Sequence, residues 1–231
     1  MKIDGHEIDA HSELADVDLS KADLRGAVLI EANLKNTDLS FANLNGAYLS
    51  GACLVGANLS HANLTDSDLQ GADLTGVNLD SAKMTGANLL GANLKGANLE
   101  GCNLVGVELK DVNLSEANCA GANFSGQQLT NVNLSSTNFR DANMTDSDFS
   151  DSIFQGANLR GANLQNSNLA RAYLRDSDLT FSNLTNACLV DAILRDANLT
   201  RANLTAADMK NAFLDGAVLK GATMPDGSIQ D

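Results

Sequence analysis

Apolar side chains recur along this chain with a period of five. Stepping by five from Leu14 to Met224 meets 43 positions, all apolar: 34 Leu, four Phe, four Met and Cys119. Two residues before each of these centres lies a small side chain: 27 Ala, seven Ser, five Val, two Thr and Cys102, with Gln127 the one bulky polar exception. The residue just before the centre is Asn or Asp in 29 of the 43 units, and the two that follow it are mostly Ser, Thr, Gly or charged. A period of five fits neither a helix nor an alternating strand. Within one unit, however, the small residue and the centre are two apart, which puts both on one face of an extended segment. The following Gly, Asn or Asp supplies a turn. Each pentapeptide therefore predicts a short extended side and a corner, with the inward set always on the same side of the chain. Such a chain coils about an axis, and successive coils stack in parallel about 4.8 Å apart.

The departures from consensus give the number of sides. Ile153, Tyr173, Ile193 and Phe213 replace the Asn or Asp before the centre at intervals of 20, and Val28 and Tyr48 do so on another side. These positions gather in space only if four pentapeptides complete one coil. Parallel crossovers are overwhelmingly right-handed. The expected architecture is all-β, a four-sided parallel β-helix with nearly eleven coils, about 50 Å long at strand spacing. Residues 12–224 form it. Residues 1–11 break the register and are expected to be a lead-in or cap, as a partial first coil, while residues 225–231, beginning Pro225-Asp226-Gly227, form a terminal turn and tail.

The unit A-[N/D]-L-x-G resembles that of the pentapeptide-repeat family from Ser12 to Met224. The resemblance implies a right-handed quadrilateral β-helix. It says little about function, because the family holds unrelated activities. The run from Leu219 to Ser228 is similar to the close of cyanobacterial members.

Composition narrows the chemistry. With 29 acidic and 15 basic side chains the formal charge is −14, which disfavours direct binding of nucleic acid through phosphate neutralisation or docking on anionic lipid. No run of 18 apolar residues is present and the first residues hold no apolar block, so a cytoplasmic location is the expectation. Cys53, Cys102, Cys119 and Cys188 show no CxxC spacing and suit free thiols. His6-Glu7 with His11 misses the HExxH spacing by one residue. No P-loop, nucleophile elbow or dinucleotide fingerprint occurs, so neither a catalytic site, a metal nor a cofactor is expected.

Two surfaces stand out. Ile153, Tyr173, Ile193 and Phe213, flanked by Arg175 and Arg195, form an apolar stripe rimmed by charge, the composition of a protein interface; simple cross-strand stacking is the competing explanation. The side containing Leu29 carries −6 of the net charge when Asp231 of the tail is counted with it, and Asp68, Glu108, Asp111, Asp148, Asp151, Asp191 and Asp208 are among its residues. An acidic rod is similar to the family members that protect DNA gyrase by imitating DNA. The expected function is a non-catalytic scaffold that binds another protein through its flat faces, with a homodimer near the C-terminal end as one form of that contact. The alternative is a DNA-mimicking modulator of a type II topoisomerase.

Overall fold

The computed structural model describes residues 2–3 and 5–231; Met1 and Asp4, within the 1–11 lead-in, lie outside them. The chain divides into two compact units, Met1–Ala117 and Asn118–Asp231. Both are built from the same four-sided coil. In the first, one side runs Glu13, Asn33, Cys53, Asp73, Asn93, Asn113, successive members 20 apart being bridged in parallel. In the second, Asn118, Asn138, Asn158, Asp178, Asn198 and Val218 are related in the same way.

A single pentapeptide accounts for all five of its backbone N–H groups. Around Leu34, the N–H of Asn33 donates back to Ser12 O, while those of Leu34 and Asn36 donate forward to Cys53 O and Val55 O. The N–H of Thr37 closes the corner onto Leu34 O at 3.2 Å. The fifth, on Lys35, donates to the Asn33 side-chain oxygen at 3.3 Å. This is the physical reason for Asn or Asp before each centre: its side chain accepts the one N–H that no carbonyl reaches.

Every fifth residue from His11 to Gly221 has positive φ, between 55° and 75°. That left-handed corner turns the chain by one side, and it explains the preference for Gly, Asn and Asp two residues after the centre. Because a corner follows so soon, the short extended side of each unit makes only a one-residue parallel bridge. The only regular strands among the described residues are β1 (Lys2–Ile3) and β2 (His6–Glu7), an antiparallel hairpin turning at Gly5, whose φ is 87°. Within the lead-in this hairpin takes up Lys2–Glu7, whereas residues 9–11 already bond as a coil does: the Ser12 N–H closes a corner onto Asp9 O and the His11 N–H donates forward to Ile30 O.

The core is the stack of centres. Leu24, Leu44, Leu64 and their equivalents are almost fully buried, with the small residues packed beside them. Most inward hydroxyls are tolerated because they donate to carbonyls, Thr37 to Leu14 O at 2.7 Å, Ser147 to Phe124 O at 2.8 Å and Ser152 to Leu129 O at 2.6 Å, whereas the buried Ser182 Oγ finds no partner. Where Phe replaces Leu, the rings pack edge to face, Phe124 on Phe139 at 5.4 Å and Phe149 on Phe154 at 5.5 Å between centroids. Over the last coil the centres Met209, Leu214, Leu219 and Met224 become half-buried. The tail turns at Gly227 and pairs antiparallel with the final side, Ile229 opposite Thr223.

Candidate protein-docking surface

The positions before the centres face outward, so any side chain there is offered to solvent. In the second unit Ile153, Tyr173, Ile193 and Phe213 bridge one another in succession. Ile153, Tyr173 and Phe213 are 41%, 50% and 52% exposed, and Ile193 is partly so. A shallow cavity of about 450 Å³ lies along them, lined by Ile153, Gln155, Tyr173, Arg175, Ile193 and Arg195.

Placing apolar residues here has a local cost. An Asn or Asp would accept the N–H two residues on, as Asn163 does from Gln165 at 3.3 Å and Asn183 from Thr185 at 3.2 Å. Ile, Tyr and Phe have no acceptor at the equivalent point, so that side-chain partner is missing for the N–H groups of Gln155, Arg175, Arg195 and Asp215, four coils running. The guanidinium groups beside the stripe are held by carboxylates: Arg175 by Asp176 at 3.4 Å and Asp196 at 3.8 Å, and Arg195 by Asp215 at 3.3 Å. Apolar side chains over ion-paired arginines form a surface that can bury aliphatic or aromatic groups without stranding a charge.

The acidic residues are distributed over both units, and several of their carboxylates serve the fold. In the first unit Asp68 accepts from Ser50 Oγ at 2.6 Å and from the Asn88 amide at 3.0 Å, and Glu108 accepts the Lys110 N–H at 3.1 Å. Asp111 occupies a left-handed corner, with φ 58°. In the second, Asp148 accepts from Asn168 at 3.0 Å, Asp191 from Asn211 at 3.0 Å and Asp208 from the Lys210 N–H at 3.0 Å. Asp151 meets Arg171 in a two-point ion pair, 2.7 and 2.6 Å. The hydrogen bonds from Arg171 hold the Asp151 carboxyl below the usual carboxylate range.

The histidines and cysteines do not converge among the described residues. Among the described residues, no three His, Cys, Asp or Glu side chains group to hold a metal. His6 and Glu7 lie on β2, and His11 Nδ1 is 3.4 Å from Glu31. Burial pushes the Cys102 thiol up to about 11, and its Sγ donates to Leu79 O. Cys53 and Cys188 are half-buried.

Sequence reasoning overlooked the corner column. Phe41 and Phe181 sit at left-handed corners, with φ 59° and 61°, and both are exposed. Phe41 stacks on His61 at 4.7 Å, and Phe181 lies under Arg160 and Arg201. The signal was available: Phe41 and His61, like Phe181 and Arg201, are 20 apart.

The profile of the pentapeptide repeats matches the chain eight times, and the matches together run from residue 12 to residue 226. No protein of curated function matches. Among solved structures, the chain is similar to HetL, a pentapeptide repeat protein involved in heterocyst differentiation regulation from the cyanobacterium Nostoc sp. strain PCC 7120. The identity is 35%, covering 96% of this chain and 90% of that one, with a TM-score of 0.49. A second Nostoc pentapeptide repeat protein, alr5209, is 37% identical over 42% of this chain and 80% of its own, TM-score 0.30. QnrB1, a plasmid-mediated fluoroquinolone resistance protein, is 19% identical over 91% of each chain, TM-score 0.46. With the family's repeat matched over most of its length, this chain belongs to the pentapeptide-repeat proteins.

Proposed function

We propose that this protein is a non-catalytic scaffold that holds another protein against one side of its second unit, with Ile153, Tyr173, Ile193 and Phe213 as the contact. One observation carries the reading. Four coils in succession give up the side-chain acceptor that the repeat normally supplies, and in exchange display large apolar groups to solvent. Folding gains little from that exchange, whereas a partner covering the stripe gains a continuous apolar strip. The partner is either a second copy of the chain or a different protein.

Tyr173→Asn with Ile193→Asn separates function from stacking. Both replacements restore an acceptor, for the Arg175 and Arg195 N–H groups. On the docking reading the double variant unfolds at the same temperature as the parent or a higher one, by the about 1 kcal/mol that a regained hydrogen bond is worth. It also loses self-association in sedimentation, or loses its partners in affinity capture from the source cells. If the midpoint falls and both binding readouts stay as they were, the stripe serves only the fold.

Imitation of DNA by the acidic side has less support. Asp68, Asp148, Asp151 and Asp191 are engaged by amide or guanidinium groups of this chain. A supercoiling assay with purified gyrase decides it, since inhibition by the native protein would favour that alternative over the stripe.

A further inference from the structure

The second unit carries another surface, at the corner column two residues beyond the centres. The chain has seven arginines. Five of them, Arg25, Arg140, Arg171, Arg175 and Arg195, pair with aspartates. The other two converge on one ring: the guanidinium carbons of Arg160 and Arg201 lie 5.1 and 5.6 Å from the centroid of Phe181. An aromatic face attracts a cation without cancelling its charge. Both groups are therefore positioned by Phe181 yet remain available to an anion. Lys220, which also makes no ion pair among the described residues, lines a cavity of about 600 Å³ with Phe181, Arg201, Thr200 and Ile229. In a chain of charge −14, three cations around Phe181 that form no ion pair among the described residues are a departure from the whole, with Asp231 the one carboxylate lining the same cavity.

The ring itself is held at a cost. Phe181 adopts a left-handed backbone, with φ 61°, at a corner that most units fill with Gly, Asn or Asp, and it is 46% exposed. The cavity wall is largely apolar, formed by Phe181, Ile229 and the backbone of Gly221, with Arg201 and Lys220 beside it. The carboxylate of Asp231 stands on the same rim. The cavity opens to solvent instead of enclosing a ligand, which suits the side chains of a macromolecule better than a small molecule. Arginine and aromatic groups together are the composition of an interface centre.

We infer that this corner docks an acidic segment of a partner protein, its carboxylates meeting Arg160, Arg201 and Lys220 and an apolar side chain of the same segment resting against Phe181 and Ile229. This surface is distinct from the apolar stripe, though it rests on the reading of the protein as a scaffold. Charge complementarity chooses the occupant: unpaired cations around an apolar floor fit carboxylates attached to an apolar residue.

The test uses the full chain and a fluorescently labelled peptide, Asp-Glu-Phe-Asp-Glu-Leu-Glu-Asp, followed by anisotropy at low and moderate salt. Its amide counterpart, Asn-Gln-Phe-Asn-Gln-Leu-Gln-Asn, and a dT12 oligonucleotide serve as competing probes. The acidic peptide should bind saturably and weaken as salt rises, and the amide peptide should bind at least tenfold more weakly. Arg160→Ala with Arg201→Ala should lower the peptide's affinity at least tenfold at an unchanged unfolding midpoint. Arg25→Ala with Arg171→Ala, two ion-paired arginines outside both surfaces, should change it less than threefold. Absence of saturable peptide binding, equal binding by the Arg160/Arg201 variant, or preference for the oligonucleotide would overturn the inference. Loss of peptide binding in the Tyr173/Ile193 variant alone would move the peptide to the stripe, leaving the scaffold reading standing and this one refuted.

Discussion

A residue two past a centre must take positive φ whatever its side chain, and the repeat works because that demand is usually met cheaply. Gly, Asn and Asp fill most corners, but Glu31, Phe41, Arg171, Phe181 and Ala206 hold the same conformation with φ between 55° and 61°. A left-handed backbone costs an ordinary L-residue roughly 1–2 kcal/mol, and glycine gives back part of that difference through its greater freedom in the unfolded chain. Ala206 is exposed and offers only a methyl group, so it isolates the effect. Ala206→Gly should stabilise the protein by about 0.5–1 kcal/mol, read from the urea midpoint at constant m. An unchanged or lower midpoint would show that the corner imposes no strain. By the same reasoning the strain at Phe181 is a departure that the fold does not require. The sequence shows the corner's preference for Gly, Asn and Asp clearly, whereas the significance of an exception depends on its neighbours one coil away.

At the scale of one side of the coil, the Asn and Asp columns form ladders with a direction. Asn58, Asn78 and Asn98 each donate an amide N–H to the residue 20 earlier, at 3.1, 3.2 and 3.1 Å, and the series begins on Asp38. The series that holds Asn93 and Asn113 likewise begins on a carboxylate, Asp73. A carboxylate can accept but cannot donate, so it fits at the start of a series. Asn78 makes three such bonds, to Asn58, from Asn98 and from the Asp80 N–H. Asn78→Ala should therefore cost about 1–2 kcal/mol in chemical denaturation, more than a typical exposed substitution. A loss within about 0.5 kcal/mol would mean that solvent replaces the ladder freely. The ladders were legible only as a preference for Asn or Asp. Their polarity emerges once residues 20 apart are seen to bridge, because an amide's donor and acceptor are assigned by what lies above and below it. The N-terminal hairpin was not legible, since the register of five breaks before residue 12 and Lys2–Glu7 carry no alternating apolar pattern that would mark a strand pair.

Across the molecule as a whole, the four-sided coil was legible because a period of five, a small residue two before each centre and exceptions at intervals of 20 all require it. The surfaces were legible only in part. The apolar stripe announced itself by breaking the Asn and Asp column, while the Phe181 corner did not, because its members come from two adjacent columns and look unrelated in sequence. Function was least legible, for a regular coil without inserted loops puts its specificity into a few outward side chains that folding does not constrain. Every surface argued above depends on residues 20 apart being outward-facing neighbours. Methyl-labelled NMR tests this directly through nuclear Overhauser contacts between the Ile153 and Ile193 methyl groups and the Tyr173 ring. The account predicts contacts from both isoleucines to the ring, and none from the ring to the methyl groups of the buried centres Leu174 and Leu194. Contacts from the ring to the Leu174 or Leu194 methyls, with none to Ile153 and Ile193, would contradict it.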